Sequence, residues 1–349
     1  MFRRPDRTVS AIFLLGLAVR LYFAFAIDVI TDPGEFQYNA LATQGGLGAE
    51  YAPAYPFFLR LVYRLFGAFN ADAVYAIQAI ASSLVVLLMY AAVSRVGDRR
   101  AGLIAAVISA LYPGFILCNR GILTESWSVL IVASMMALAS RATRNALRAC
   151  AQGALIGLGV LLKPAYVFFL PGFLITTRRR ALLLLAGFLV VIAPLAVKNS
   201  LAIGRFVPVY KAKSYDMTFT LPPLSAWETI DLVYGNALRL FLWHPGENAY
   251  GPKEAEAEIL AIYYTRKFSY LVLLWLGLVG LARCARKEHA AVALPVLGAV
   301  VLPILFTRAT EPRFRVFLEP LLIMYVSLLF GRGSAPASSN GASSEAVKR

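Results

Sequence analysis

The sequence predicts an all-α, polytopic membrane protein, and three observations carry that prediction. Of its 349 residues, 59% are hydrophobic and only 15% charged, where soluble domains run near ~45–50% and ~25%. The apolar residues fall in long runs that match the roughly 20 residues a helix needs to cross a bilayer core. Short basic clusters recur between alternate runs, the pattern that orients multi-pass proteins.

The first run covers about 9–29, and others follow at 73–94, 101–117, 122–140, 181–197, 268–282, 290–307 and 314–330. The stretch 150–175 has Arg148 before it and Arg178-Arg179-Arg180 after it, yet is too short for two full spans. Pro164 and Pro171 are helix breakers, so a hairpin or two half-length helices is expected there, with Lys163 near the turn. The bundle therefore has about 8–10 transmembrane helices. Arg3/Arg4/Arg7, Arg95/Arg99/Arg100, Arg141/Arg144/Arg148, Arg178/Arg179/Arg180 and Arg283/Arg286/Lys287 mark the cytoplasmic connections. The outer loops are then 30–72 and 198–266, with shorter turns at 118–121, Lys163 and 308–313.

One transmembrane domain, 1–330, is expected, with a Ser/Ala/Gly-rich disordered cytoplasmic tail at 331–349. No small-residue cleavage site follows the first run, so it reads as an uncleaved span. Within the first outer loop, Phe57 to Phe66 is apolar except for Arg60 and Arg64, spaced i, i+4. That spacing suits an interfacial helix with its arginines toward the headgroups. The second outer loop, with Trp227, Trp243 and many tyrosines, is expected to form short capping helices.

The net charge of +15 follows from basic loops that meet membrane lipids, and it implies no nucleic acid. Three cysteines at unrelated spacings and two histidines give no disulfide framework and no metal motif.

Against 34 basic residues there are only 19 acidic ones, and two of these, Asp32 and Glu35, sit three apart at the mouth of the first span. Carboxylates at a membrane surface are costly to bury unless something needs them. They suit deprotonation of a hydroxyl or the holding of a divalent cation, and equally a solvated helix cap. Glu125 opens an apolar helix that Thr124 or Asn119 could cap. It reads as a helix-dipole partner or as a group facing a cavity. Lys163, Lys198, Arg313 and Arg315 read as phosphate ligands, or as snorkelling and loop-paired cations. Arg20, in mid-span, requires a partner. Tyr55 stacks on a sugar or joins the interfacial aromatic belt. Asp32, Glu35, Glu125, Lys163, Lys198, Arg313 and Arg315 all fall on the outer side, and that convergence is the main sequence argument for a site.

Several stretches, taken in order, resemble a known family. They are Asp32-Pro33-Gly34-Glu35-Phe36, Tyr55-Pro56, Gly121-Ile122-Leu123-Thr124-Glu125, Gly157-Leu158-Gly159 through Lys163-Pro164, and Lys198-Asn199 with Gly204-Arg205-Phe206-Val207-Pro208. Together they resemble the GT-C superfamily, especially glycosyltransferase family 39-like proteins, over about Arg20 to Pro320. The resemblance implies a GT-C-like bundle and a hexosyl- or pentosyltransferase. The donor would be a polyprenyl-phosphate-linked sugar and the acceptor a hydroxyl of a glycan, lipid or protein on the outer, periplasmic face of a bacterial inner membrane. It implies Asp32 as base or metal-anchoring carboxylate, Glu125 as second acid, and Lys163 and Lys198 as phosphate ligands. Asp32 and Glu125 would hold any divalent cation (Mg, Mn or Zn). Lys198 stands where the family commonly has arginine. Attack from the face opposite the phosphate predicts inversion.

Two other classes compete. A transporter or flippase for an anionic lipid-linked substrate would also want cations and broken helices, but its polar residues belong at mid-membrane. A non-catalytic scaffold leaves the acidic loop without a purpose.

Overall fold

In the computed structural model the described residues are 7–26, 33–43, 52–140, 145–204, 206–207, 233–234, 257–306 and 316–331; within these, side chains are described for all but 33–37, 257–264, 288 and 303–306. They form α-helices and short 3-10 turns, with no strand among them. In chain order the helices are α1 (Arg7–Ala26), α2 (Pro33–Thr43), α3 (Ala54–Phe66), α4 (Ala71–Val96), α5 (Arg99–Leu111), α6 (Pro113–Leu117) and α7 (Glu125–Ala139). Then come α8 (Ala146–Leu162), α9 (Phe169–Thr177), α10 (Ala181–Ile203), α11 (Ala257–Cys284), α12 (Ala290–Phe306) and α13 (Glu319–Gly331).

Among the described residues four segments are long and apolar enough to cross a membrane: Arg7–Ala26, Ala71–Val96, Pro164–Ile203 and Thr265–Cys284. Glu125–Ala139, Ala146–Leu162, Ala290–Leu302 and Glu319–Gly331 are shorter apolar helices. Two expected spans differ in detail. The run 101–117 is split at Tyr112-Pro113 into α5 and α6, because proline cannot continue a helix through its missing N–H. The last run begins its helix only at Glu319, after a 3-10 turn.

Lipid tails are as apolar as leucine, so helices in a membrane associate by close packing rather than by escape from water. Glycines make that packing possible here. A Cβ on Gly153 would strike the Leu184 carbonyl, and one on Gly187 would strike the Cys150 carbonyl, so α8 and α10 meet backbone to backbone. Gly280 against Tyr325 and Gly172 against Pro295 do the same for α11–α13 and α9–α12.

These contacts fix helix direction. Gly153 faces Leu184 and Phe188, and Gly157 faces Phe188 and Val191, so α8 and α10 run parallel. Between them the chain turns at Lys163-Pro164, passes through a 3-10 turn (Pro164–Phe168) and returns along α9. This is the expected in-and-back excursion, although Pro171 lies inside α9 and does not end it. Gly277 faces Leu322 and Gly280 faces Tyr325, so α11 and α13 are also parallel. Gly97 meets Leu328 and Gly331 meets Ala101, which puts the end of α13 at the start of α5. The Arg95 guanidinium donates to the Ala137 carbonyl at 2.9 Å, joining the ends of α4 and α7.

Two ends result. One collects Arg95, Arg99, Arg100, Arg148, Arg178 to Arg180, Arg283, Arg286 and Lys287. The other collects the starts of α4, α7 and α13 and the ends of α5 and α8.

Arg20 finds its partners inside the bundle. It is fully buried and donates to Ser82 Oγ (2.9 Å), the Gly16 and Ala110 carbonyls (3.0 Å each) and the Ser109 carbonyl (2.7 Å). A cation that bonds four neutral acceptors is tolerated in an apolar interior.

The helix α3 forms as expected, with Tyr55, Leu59, Val62 and Tyr63 buried and Phe57, Leu61, Leu65 and Phe66 exposed. Its arginines do not behave alike. Arg64 is exposed, whereas Arg60 turns inward and donates to the carbonyls of Ala42 (3.0 Å) and Leu41 (3.3 Å). Arg60 therefore caps the end of α2, whose last carbonyls lack helical partners, rather than reaching for headgroups.

Candidate functional site

The site is built where α7 begins and α8 ends. Proline at 164 drives the residue before it out of helical geometry, and Lys163 is extended, at φ −147° and ψ 127°. Gly159 leaves room for the Tyr166 ring, and Tyr166 Oη donates to the Ser128 carbonyl at 2.9 Å. These contacts pin the turn over the first coil of α7. There the Lys163 ammonium meets Glu125 Oε1 at 2.9 Å, with side chains only 14% and 5% exposed. Glu125 also gains from the positive end of its own helix. Thr124 occupies the N-cap position but makes no side-chain cap bond. Asn119 does not cap either; its amide donates to the carbonyls of Phe115 and Ile116 at 2.9 Å, while its Oδ1 accepts from Ser126 Oγ at 3.0 Å.

Three further elements complete the cluster. Tyr112, at the break between α5 and α6, donates to Glu319 Oε1 on α13 at 3.1 Å. Arg266, on α11, approaches the Cys118 sulfur at 3.9 Å and lies in the field of Glu319, Tyr112 and Glu125. Its Nε is sealed from solvent and has no acceptor among the described residues. Cys118 lies in the field of both cations and both carboxylates. Burial pushes its thiol up to about 11; Arg266 opposes the rise, Glu125 and Glu319 add to it, and Lys163 opposes it again. The thiol itself donates to the Gly114 carbonyl at 2.8 Å. Two carboxylates, two cations, a phenol and a neutral thiol thus meet at the end opposite the arginine clusters.

The structure unites Glu125 and Lys163 in an ion pair. Lys198 is on the exposed side of α10, beside the buried Asn199. The parallel register of α8 and α10 brings that turn near the level of Lys163. Tyr55 departs from both expectations, since it is only 1% exposed. Its hydroxyl donates to Gln78 Oε1 at 2.7 Å, and its ring packs edge-on against Tyr38 at 5.0 Å. Gln78 in turn donates to the Gly121 carbonyl at 2.8 Å, so Tyr55 braces the loop that leads to Glu125 instead of presenting a face to a sugar or to lipid. Asp32, Arg313 and Arg315 lie outside the described residues. Glu35 lies in the first turn of α2, and its side chain is likewise outside the description.

Sequence reasoning missed Arg266, Tyr112 and Gln78, and gave Glu319 no role beyond pairing with Arg313 or Arg315. A signal for Arg266 was present. It shares a helical stripe with Tyr270, Leu273, Leu274 and Gly277, which are buried or packed on α13. A cation on the apolar stripe of a helix must face the interior.

Among the described residues no three acidic, histidine or cysteine side chains group as metal ligands. Of the two carboxylates that the resemblance offers to a cation, Asp32 lies outside the described residues, and Glu125 has its Oε1 on Lys163.

A model of the dolichyl-phosphate-mannose-protein mannosyltransferase family matches residues 50–198, the segment that holds Glu125, Lys163 and Lys198. Solved structures match far more of the chain. ArnT from Cupriavidus metallidurans, bound to undecaprenyl phosphate, shares 12% identity with a TM-score of 0.63, over 93% of this chain and 60% of that one. The chain has the GT-C fold. An Archaeoglobus fulgidus oligosaccharyltransferase in its apo form matches at 12% identity and TM-score 0.60, over 92% of this chain and 50% of that one. The same protein in complex with Zn and sulfate matches at 16% and 0.54, over 91% and 48%. This GT-C chain thus spans about half to three-fifths of the length of these structures. No curated protein matches its sequence.

Proposed function

We propose that the chain is a membrane glycosyltransferase. It moves a hexosyl or pentosyl group from a polyprenyl-phosphate donor to an acceptor hydroxyl on the periplasmic face of a bacterial inner membrane. The observation that carries this reading is the Glu125–Lys163 pair with Arg266 in its field, at the end of a GT-C bundle remote from the Arg178–Arg180 cluster. The undecaprenyl phosphate of the ArnT structure supports the donor class.

In this reading the donor phosphate lies between Lys163 and Arg266. Donors already aimed at developing charge stabilise it without reorganising. The bond between the anomeric carbon and the phosphate oxygen breaks, and its electron pair stays on the phosphate. Arg266 Nε offers that oxygen an unused donor. Glu125 and Glu319 are positioning residues that hold the two cations and are not themselves consumed. Asp32 takes the proton of the acceptor hydroxyl as that oxygen attacks from the opposite face, which inverts the anomeric centre. A chain of contacts supports bringing Asp32 here. It directly precedes α2; α2 packs on α3 through Tyr38 and Tyr55, and α3 packs on α7 through Phe58 and Trp127, whose rings are 4.8 Å apart. Lys198, Arg313, Arg315 and Glu35 complete the outer rim in this proposal. A transporter would need its charges at mid-depth, whereas Glu125, Glu319 and Lys163 all stand at helix ends.

The test is direct. Reconstituted protein is given a panel of polyprenyl-phosphate sugars, with and without divalent cation, and free polyprenyl phosphate is measured. Donor consumption by the native chain and its loss in Asp32→Asn are expected. An active Asp32→Asn ends the base assignment, and no consumption of any donor ends the transferase reading.

A further inference from the structure

At the opposite end of the bundle a cleft of about 530 Å³ opens between the turn that ends α9 and the start of α12. Thr177, Arg178 and Arg179 line one side, and Ala290, Ala291 and Leu294 the other. Arg178 and Arg179 are exposed. Ala290 and Ala291 open α12; the Ala290 N–H is spent on the Lys287 carbonyl, so the charge that faces an anion here is that of the arginines.

The two threonines of this turn differ. Thr176 Oγ1 donates back to the carbonyls of Gly172 and Phe173 at 3.1 Å, the usual use of a helical threonine. Thr177 lines the cleft, is only 6% exposed, and its hydroxyl has no partner among the described residues. A buried hydroxyl without a partner is costly unless something occupies the space beside it.

We propose that this cleft binds a phosphate-bearing headgroup of an anionic phospholipid. Arg178 and Arg179 take the phosphate oxygens, and the Thr177 hydroxyl donates the third bond. The apolar side chains of Ile175 and Leu294 at the same cleft suit the start of an acyl chain, so a lipid fits better than a free ion. Basic pockets between transmembrane helices recognise anionic headgroups in this way. The site is separate from the Glu125 cluster and stands whether or not that cluster is catalytic.

The experiment uses the full chain in a neutral detergent. Phosphatidylglycerol and phosphatidylcholine are offered at equal concentration and retention is read by native mass spectrometry; inorganic phosphate is offered in a separate thermal-shift arm. The native chain is expected to retain phosphatidylglycerol about tenfold better, and Arg178→Gln with Arg179→Gln to abolish the preference. Thr177→Val leaves the charge untouched and is expected to cost about threefold, which keeps the test decisive should the double variant fold poorly. A thermal shift with inorganic phosphate that both variants lose, with no preference for phosphatidylglycerol in the native chain, assigns the anion site to a free ion and overturns the lipid assignment. Equal retention of the two lipids by the native chain, or an undiminished preference in both variants, overturns the proposal.

Discussion

Arg20 and Arg266 both lie within the helical bundle, and the fold treats them in opposite ways. Arg20 spends Nε, Nη1 and Nη2 on one hydroxyl and three carbonyls, and every acceptor is neutral and fixed by helices α1, α4 and α5. Arg266 has a sulfur at the limit of hydrogen-bond reach, carboxylates in its field and an Nε without an acceptor among the described residues. A saturated cation staples helices together. A cation held by charges yet short of a partner is prepared for something that arrives. Burial alone does not separate these cases; Arg20 is the more buried of the two.

This contrast makes sharp predictions. Arg266→Gln is expected to cost about 10²–10³ in donor turnover, with a thermal midpoint close to that of the native chain; unchanged turnover removes Arg266 from the site. Glu125→Gln leaves Lys163 without its counter-charge, and turnover is expected to fall by about tenfold or more, because a misplaced donor stabilises the departing phosphate less well. Arg20→Lys reverses the pattern. An ammonium has three donors and no fork, so it cannot serve four spread acceptors, and stability is expected to drop by about 1–3 kcal/mol with turnover per folded molecule intact. A loss of turnover at full stability would erase the distinction between the two arginines.

Tyr112→Phe removes one hydrogen bond to Glu319, and a loss of about 0.5–1.5 kcal/mol in unfolding measurements is expected. Cys118 gives the smallest effect. Its thiol is raised from the ordinary 9.0 to about 11, so the folded state favours the protonated form. The stability this contributes is whole below pH 9.0 and is lost as pH rises toward about 11. Cys118→Ser is expected to flatten that alkaline decline and to change neutral-pH turnover by about twofold at most, since no thiolate is present at neutral pH. Rapid alkylation of Cys118 at neutral pH would contradict this.

Much of the architecture could be read in advance because it rests on local rules. Pro164 forces an extended residue before it, so the break at Lys163 was visible as a dipeptide. Alternating arginine clusters gave helix direction before any contact was known. Glu125 drew notice as a lone carboxylate opening an apolar helix. The misreadings share one cause. Arg60 and Tyr55 each occupy positions that suit a surface, and only the placement of α2 and α4 against α3 turned them inward. Arg266 was assigned to a loop because its helix begins in a polar stretch, and its stripe becomes meaningful only once α13 packs along it.

The sequence by itself determined that this chain is a multi-pass helical protein, which way its helices run, and that Glu125 and Lys163 stand at helix ends. Periodicity, proline and charge act over a few residues and need no partner. The tertiary structure alone decided that Lys163 answers Glu125, that Tyr112 answers Glu319, and that Arg266 joins them while Arg20 does not. Those pairings link residues from 38 to 207 positions apart. They exist because glycine contacts let helices approach until distant side chains share one low-dielectric space, where each charge needs an opposite charge or a set of hydrogen bonds.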